Sequence, residues 1–360
     1  MANIFEELSE SGFWKNEEAL STEYLPPLLP HRENEIRLLA RNLLPLAKKK
    51  QAQNTFVFGP PGIGKTATVK FVFRDLEEYA GSSAKAIYIN CWDYRTSSAI
   101  LTKLVLELGF FIQRRGVSKD EIKERLVEAL RKNSKALAVC LDEVDQLIKK
   151  DANILYDLLR LNDYVNIPIG LVFISNDKFV FRELDPRIKS SLNVMEIEFK
   201  PYTLAEMKDI LEERVNLAFK PGCVEDGVVL LTANHAIKNG GDVRVGLKVL
   251  RLAASFAEQD GSSKIKVEHV KKAIAQVGKV KPEILQQRLT GDKKLIIEII
   301  KQFGEITSGQ LYEEFVKKSG RDVSERGFRN YLNELIEQGI LEFEWRKGQK
   351  GRTRLIRLRE

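Results

Sequence analysis

A glycine-rich loop with the spacing of a phosphate-binding site runs through Gly59-Pro60-Pro61-Gly62-Ile63-Gly64-Lys65-Thr66, after the apolar run Thr55–Phe58. Its glycines permit tight turns that point several backbone N–H groups into one concavity, and a helix beginning near Lys65 adds its positive dipole end there. The Lys65 ammonium group suits the β- and γ-phosphates, and the Thr66 hydroxyl suits a bridging Mg²⁺ ion. We include the next residue, Ala67, in this site. By itself the loop predicts an ATP or GTP site, and the strand before it disfavours a chance match within a Gly/Pro turn.

Two adjacent carboxylates, Asp142 and Glu143, follow an apolar run at residues 136–141. A buried parallel strand brings the side chains at its carboxyl end to the sheet edge where a phosphate loop also lies. We predict that Asp142 belongs to the Mg²⁺ shell and that Glu143 positions and deprotonates the attacking water. The alternative is a surface Asp-Glu pair that opens the following helix.

Two further polar residues are candidates for catalysis, and each has a plain alternative. Asn176 directly follows the apolar run at residues 167–175, so its amide could reach the γ-phosphate or the attacking water, although Asn is also a common turn residue. Arg187 follows a loop and could carry its guanidinium group to the phosphates of a neighbouring subunit, although a lone arginine is usually a surface residue. We predict catalytic roles for Asn176 and Arg187 together with Glu143.

The elements that must position these groups are indicated by short apolar runs between about residues 35 and 200. The runs are continuous rather than alternating, which is typical of strands buried on both faces of a parallel sheet. They are Thr55–Phe58, Ala84–Asn90 and residues 136–141, 167–175 and 194–199. After Pro201 the pattern is helical without strand signals, which predicts a separate helical domain.

A third region follows a loosely patterned stretch at residues 278–291. Amphipathic helices are predicted at residues 293–303, 308–318 and 324–338, and strands at 340–345 and 354–359. Three helices and a hairpin make a winged helix. We therefore place three domains at residues 1–200, with 1–34 as an N-terminal segment, at 201–280 and at 281–360.

One face of the third predicted helix could read DNA. Its polar residues recur at helical spacing on the side away from the apolar stripe, and they are Arg326, Arg329, Asn330 and Asn333. Arginine pairs with guanine and asparagine with adenine in the major groove, whereas the alternative is a face that only stays solvated. The hairpin tip is basic, and we predict phosphate or minor-groove contacts for Arg346, Lys347, Lys350, Arg352 and Arg354.

Overall composition is compatible with these predictions. The net charge is +7, and residues 346–359 hold seven basic side chains and no acidic one, so the positive charge is gathered at one place. No apolar run approaches the roughly 20 residues that a bilayer-spanning helix needs. The start of the chain lacks the basic-then-apolar pattern of a secretion signal. We expect a cytoplasmic, nucleoid-associated protein with no membrane partner.

The order of these motifs resembles that of archaeal replication initiators of the AAA+ class, the family related to the origin recognition complex and to the cell-division-control helicase-loading ATPase. The motifs span essentially the full length and are Leu29-Pro30-His31-Arg32-Glu33, the phosphate loop, Asp142-Glu143, Ser175-Asn176, Asp185-Pro186-Arg187, Gly241-Asp242-Val243-Arg244 and the winged helix. The resemblance implies an α/β fold, with an AAA+ P-loop parallel sheet flanked by helices, a helical lid domain and a C-terminal winged-helix domain.

The resemblance also implies roles for individual residues around the nucleotide. Asn176 would be sensor 1, Arg187 the arginine finger, and Arg244 sensor 2, which swings from the lid onto the γ-phosphate. Tyr202 and Arg214 of the lid would approach the nucleotide, with ordinary packing and a helix-surface charge as the respective alternatives.

On the other side of the nucleotide, the resemblance implies that residues 25–32 wrap the adenine, and our predicted contacts there are Leu25, Pro26, His31 and Arg32. A helical insertion after the second strand touches DNA in the resembled family. This chain supplies Arg95 and Lys103 there, but the segment is not strongly basic, so we expect a light contact.

These features favour an ATP-dependent initiator that binds double-stranded origin DNA and recruits the replicative helicase, with weak ATP hydrolysis as a switch. Self-association, or association with paralogous initiators on DNA, would accompany this role. One alternative is a DNA-binding paralogue that acts as a repressor or as a plasmid or mobile-element initiator. Another is an AAA+ remodelling or clamp-loading ATPase whose winged helix binds protein.

Overall fold

A computed structural model of the chain describes residues 12–112, 116–182, 184–288, 292–319, 324–337, 340–348 and 351–358. The chain divides into two compact units, Met1–Val270 and Lys271–Glu360. The predicted division into three domains at residues 200 and 280 stays a prediction. No helix within the described ranges is long and apolar enough to span a bilayer.

A five-stranded sheet forms the centre of the first unit. Its strands are β1 (Thr55–Phe58), β2 (Ala84–Asn90), β3 (Ala136–Asp142), β4 (Ile169–Ser175) and β5 (Met195–Glu198). The order is β2-β3-β4-β1-β5, and every pair is parallel. The predicted parallel sheet is confirmed. The strands β3 and β4 are buried along their whole length, as continuous apolar runs predict, whereas the edge strand β5 exposes Met195, Glu196 and Glu198.

Helices cover both faces of this sheet. In chain order they are α1 (Glu33–Ala47), α2 (Lys65–Ala80), α3 (Ser97–Glu107), α4 (Lys119–Asn133), α5 (Val144–Asp151), α6 (Asn153–Leu159) and α7 (Pro186–Leu192). Phe56, Leu137 and Leu171 belong to the hydrophobic cluster formed with α3 to α7. On the other face α1 lies close to β4, since a Cβ atom added to Gly170 would lie 2.8 Å from Ala52 and 3.2 Å from Leu46.

Four further helices follow the sheet, namely α8 (Leu204–Ala218), α9 (Val228–Lys238), α10 (Val243–Gln259) and α11 (Val267–Arg288). α8 begins at a capping box in which Thr203 and Glu206 each bond the other's backbone N–H. The chain before α1 packs on the end of α8, where Trp14 and Phe219 rings lie 4.6 Å apart. The N-terminal segment is thereby attached to the helical part of this unit.

The second unit is a winged helix, as predicted. It contains α12 (Asp292–Phe303), β6 (Glu305–Thr307), α13 (Ser308–Ser319), α14 (Glu325–Glu337), β7 (Leu341–Gly348) and β8 (Gly351–Leu358). The strands form an antiparallel sheet of order β6-β8-β7, and Ile296, Phe315, Phe328 and Ile356 are buried between helices and sheet. The sequence did not indicate β6, because three residues are too few for a periodic pattern.

Candidate nucleotide site and DNA-binding surface

The phosphate loop joins β1 to α2 in a conformation that depends on glycine. Gly62 and Gly64 have φ angles of 74° and 90°, in the region that side chains disfavour, and Gly64 is the N-cap of α2. Close approach also excludes larger residues, because a Cβ atom on Gly62 would lie 2.0 Å from the Asp242 carboxylate. The loop is therefore shaped both to present its N–H groups and to receive the start of α10.

Lys65 is held at the mouth of this loop. Its Nζ atom donates to the carbonyl oxygens of Gly59 and Pro60, at 2.7 and 2.6 Å, and to Oδ1 of Asn176 at 2.8 Å. Burial lowers the pKa of Lys65 to about 8, an effect that the negative charge of Asp142 opposes. The ammonium group thus lies between the phosphate loop and the end of β4.

Asp142 accepts hydrogen bonds at both carboxylate oxygens. Oδ2 accepts from the Thr66 hydroxyl at 2.6 Å and from the Tyr88 hydroxyl at 2.7 Å, while Oδ1 accepts from the Glu143 backbone N–H at 2.8 Å. A hydroxyl and a carboxylate in contact are the hard oxygen ligands that Mg²⁺ prefers beside phosphates. The two predicted metal residues are brought together by the fold.

Glu143 follows β3 in the left-handed region, with a φ angle of 53°. Its Oε2 atom is buried without a hydrogen-bond partner among the described residues. Burial, and then the negative charges of Asp142 and Asp145, raise the pKa of Glu143 above its usual value. An unpaired carboxylate oxygen with an increased proton affinity suits a group that must accept a proton from water.

These groups meet in a cavity of about 590 Å³ between sheet edge, N-terminal segment and helices α8 and α10. That size is typical of small-molecule sites, which run from about 300 to 1,000 Å³. The predicted residues that line it are Leu25, Pro26, Pro61, Gly62, Gly64, Lys65, Thr66, Ala67, Asp142, Glu143, Asn176, Tyr202, Arg214 and Arg244. The predicted residues outside the lining are His31, Arg32, Gly59, Pro60, Ile63 and Arg187.

Several lining residues were not predicted, among them Lys70, Tyr88 and Asn90. Lys70 lies four residues after Thr66 on α2, and this helical spacing, which places both on one face, was a usable signal. Tyr88 and Asn90 belong to β2, which neighbours β3 in the sheet. Only the strand order places them beside Asp142, so no local pattern could have identified them.

Arg32 supports the phosphate loop from behind. Its Nη2 atom donates to the carbonyl oxygens of Ile63 and Lys200, at 3.0 and 2.9 Å, and its guanidinium carbon lies 3.9 Å from the Tyr202 ring centre. The neighbouring His31 forms a 3.0 Å contact with Asp209 on α8. In this structure both residues contact protein groups and not the cavity.

Arg214 anchors the N-terminal segment. Its guanidinium group donates to the carbonyl oxygens of Ala19 and Tyr24, at 2.9 and 3.2 Å, and the residue is buried. Burial lowers the pKa of this side chain. Arg214 therefore holds the segment that precedes Leu25 and Pro26. It would affect the affinity for a ligand by positioning that segment.

The start of α10 touches the phosphate loop directly. The Val243 N–H donates to the Gly62 carbonyl oxygen at 3.1 Å. Arg244, one residue further on, lines the cavity while its Nε and Nη2 atoms donate to the Asp242 carboxylate at 3.0 and 2.7 Å. Asp242 is also the N-cap of α10, so one carboxylate begins the helix and holds the arginine.

Arg187 lies away from these groups. Its side chain is 83% exposed and contacts only Asp185, the N-cap of α7, within the described part of the chain. The guanidinium group is thus accessible from solvent and does not line the cavity of its own chain.

The predicted DNA-reading helix is α14, and its polar face is solvated. Arg329, Asn330 and Asn333 are exposed, and Arg329 pairs with Glu325 at 3.1 Å. Arg354 of β8 donates to Oδ1 of Asn333 at 3.0 Å, which joins the hairpin to this helix. The side chains of Arg326, Arg346, Lys347 and Arg352, and the whole of Lys350, lie outside the described residues.

In the first unit, Arg95 is exposed, with Nε donating to the Trp92 carbonyl oxygen at 2.7 Å and the guanidinium carbon 4.5 Å from the Trp92 ring centre. Its predicted DNA contact stays a prediction.

Known proteins resemble this chain along almost its whole length. Residues 208–275 match the family of Cdc6 AAA+ ATPase-type lid domains, and residues 48–181 match an AAA domain family. The chain is 36% identical to ORC1-type DNA replication protein 1 of Archaeoglobus fulgidus, over 99% of this chain and 90% of that protein.

Solved structures agree with this similarity. The ORC1 protein of Aeropyrum pernix in complex with DNA has a TM-score of 0.78 at 31% identity, and the alignment covers 96% of this chain and 94% of that one. The ORC2 protein of the same organism, solved as ADPNP–ADP complexes, has a TM-score of 0.70 at 25% identity with the same coverage.

Proposed function

The chain belongs to the family of ORC1-type DNA replication proteins, and we propose that it is an ATP-dependent replication initiator that binds origin DNA and recruits the replicative helicase. The observation that carries this function is the cavity that joins the phosphate loop to the helices after the sheet, in a chain that also has a winged helix. A nucleotide in this cavity can therefore contact the phosphate loop and sheet edge together with helices α8 and α10.

ATP and ADP are distinguished, in this proposal, at the end of the cavity where Lys65, Asn176 and Arg244 lie. Binding would exchange the contacts of Lys65 with Gly59, Pro60 and Asn176 for phosphate oxygens. Arg244 would leave Asp242 for the γ-phosphate, which ADP lacks. Because Asp242 is the N-cap of α10, this exchange would couple the start of that helix to the γ-phosphate only when ATP is bound.

Thr66 and Asp142, which are in contact, would hold the Mg²⁺ ion. The buried Oε2 atom of Glu143, which has no hydrogen-bond partner among the described residues, fits a site that receives a further polar group. The ion supplies neutralisation of phosphate charge. Glu143 would orient water and take its proton, and Asn176 would stabilise the charge that develops on the phosphate. Hydrolysis of this kind would serve as a slow reset of the initiator.

Arg187 would contribute to the site of a neighbouring copy or a paralogous initiator, because it is exposed outside its own cavity. DNA binding would use the α14 face and the β7–β8 hairpin, and Arg95 would add a light contact from the first unit. A protein with this role would be nucleoid-associated in the cytoplasm.

Binding to genomic DNA tests this function most directly. We expect discrete sites near replication starts in a genome-wide binding map, and footprints at those sites with ATP that differ from footprints with ADP. Sites at promoters away from replication starts would indicate a repressor, and binding without sequence preference would indicate a remodelling ATPase. Either result would overturn the proposal.

A further inference from the structure

Tyr88 is placed to control the carboxylate that would face the metal. It lies on β2, opposite Cys140 of β3, and its hydroxyl reaches Asp142, the residue two positions beyond Cys140. We propose that Tyr88 is a positioning residue that orients the Asp142 carboxylate for Mg²⁺–ATP. This inference rests on the proposed function, because it concerns the metal of the same site.

The hydrogen bonds of Asp142 explain how a tyrosine could act. Oδ2 already accepts two donors, Thr66 at 2.6 Å and Tyr88 at 2.7 Å, whereas Oδ1 accepts one backbone N–H. A carboxylate oxygen offers about two lone-pair sites, so Oδ2 is saturated and Oδ1 retains capacity. The Tyr88 bond thus selects Oδ1 as the oxygen that remains available to the ion or its water shell.

The ring of Tyr88 is itself held in place. Lys70 of α2 lies with its Nζ atom 4.5 Å from the ring centre, and both residues line the cavity. A cation over an aromatic face is attractive, and the contact joins α2 to β2 beside the site. The Lys70 contact restricts the position of the Tyr88 ring. The Tyr88 hydroxyl would therefore serve only as a hydrogen-bond donor to Asp142, whereas the Thr66 hydroxyl would also bind the Mg²⁺ ion.

Groups that orient a metal ligand commonly affect metal affinity by 10- to 100-fold. Without the Tyr88 hydroxyl, the carboxylate could rotate about its Cβ–Cγ bond, and Oδ2 would compete with Oδ1 for the ion. The Thr66 hydroxyl and the Glu143 backbone N–H would then be the remaining donors that define the orientation. We expect weaker and less specific Mg²⁺ binding, with nucleotide contacts to the phosphate loop unchanged.

The test is a Mg²⁺ titration of the full chain with a fluorescent ATP analogue, followed by emission rather than turnover. Tyr88→Phe keeps the ring and the Lys70 contact but removes the oxygen. We expect its half-saturating Mg²⁺ concentration to rise about tenfold. Analogue affinity in EDTA should match that of the unmodified protein, because the change removes no contact of the phosphate loop.

Tyr79→Phe is the matched control, since Tyr79 is an exposed tyrosine on α2. It should leave both quantities unchanged. A second comparison uses Asp142→Asn with and without Tyr88→Phe. If Tyr88 acts through Asp142, the double variant needs no more Mg²⁺ than Asp142→Asn alone.

Two results would overturn the inference. One is a Tyr88→Phe protein with unchanged Mg²⁺ dependence. The other is an equal loss of analogue affinity with Mg²⁺ and in EDTA, which would mean that the hydroxyl only supports packing. Failure of the proposed function is distinguishable, because it would appear in the genome-wide binding map and the footprints, whereas these titrations report only on the metal and nucleotide site.

Discussion

Oδ1 of Asn176 accepts a 2.8 Å hydrogen bond from Nζ of Lys65, so the phosphate loop and the end of β4 are joined directly. The same ammonium group also contacts the carbonyl oxygens of Gly59 and Pro60. Lys65 therefore keeps two partners if the amide is lost. A change at Asn176 can thus test whether this amide contributes to ATP hydrolysis without contributing to ATP binding.

Asn176→Ala should reduce ATP turnover while nucleotide binding is retained. Loss of one donor that stabilises developing charge typically costs about 10²-fold in rate or more. Nucleotide binding would replace the Lys65–Asn176 contact by phosphate contacts in any case, so ATP affinity should change less than about threefold, far below the effect of a lost charged hydrogen bond. Single-turnover hydrolysis and calorimetric binding measure the two quantities; a large loss of affinity would contradict this role.

Glu143→Gln should leave ATP bound and nearly abolish hydrolysis. The amide keeps the shape of the side chain but cannot accept a proton from water, and removal of a general base costs about 10²- to 10⁴-fold in rate. Phosphate release under single-turnover conditions measures the effect. Glu128→Gln, the same change at an exposed glutamate on α4, is the control. Ordinary turnover in Glu143→Gln would remove the proposed base.

Arg244→Ala should lower affinity for ATP much more than affinity for ADP. Arg244 is held by Asp242 in this structure and would transfer to the γ-phosphate, and a charged hydrogen bond contributes about 1.5–3 kcal/mol, or about 10- to 100-fold in affinity. Calorimetry with the two nucleotides measures the ratio. Arg251→Ala is the control, because Arg251 lies on the same helix and pairs at the surface with Glu17. Equal losses of affinity for ATP and ADP would mean that Arg244 does not contact the γ-phosphate.

Arg214→Ala should weaken ATP and ADP equally. Its guanidinium group holds the Ala19 and Tyr24 carbonyl oxygens, so its removal should release the segment that brings Leu25 and Pro26 to the cavity. The loss of a buried charged donor predicts about a tenfold effect. Lys208→Ala, an exposed change on α8, is the control. An effect confined to ATP would instead mean direct contact with the γ-phosphate.

Combined Arg329→Ala and Asn330→Ala changes should reduce sequence preference in DNA binding. Each good bidentate base contact gives about 1–3 kcal/mol of discrimination, so preference for a genuine site should fall about tenfold or more. Competition binding at constant salt measures it, with Lys317→Ala on α13 as an exposed control. If only the dependence of log K on log salt changed, these residues would contact phosphate rather than bases.

Much of the nucleotide site was predictable because its chemistry is local. Gly62, Gly64, Lys65 and Thr66 are consecutive or nearly so, and the positive φ angles of the loop need the backbone freedom that glycine provides. Asp142 and Glu143 end a continuous apolar strand, whose carboxyl end must lie at the same sheet edge as the loop. The winged helix was predictable for a similar reason, since period and length distinguish its helices from its hairpin strands.

The partners of the arginines were not predictable. Arg32 and Arg214 were expected at the nucleotide, but the structure pairs Arg32 with the Ile63 and Lys200 carbonyl oxygens and Arg214 with the N-terminal segment. A guanidinium group on a long side chain can reach several acceptors, and burial decides which of them must be paired. Sequence spacing contains no information about that choice.

The sequence by itself determined the chemical groups: a phosphate loop, two carboxylates at a strand end and a basic hairpin after an amphipathic helix. Only the tertiary structure decided which groups touch. Tyr88 reaches Asp142 because β2 lies beside β3, and Val243 reaches Gly62 because α10 returns to the loop. Local patterns record each residue's preference for helix, strand or turn, whereas these contacts depend on strand order and on how distant elements pack.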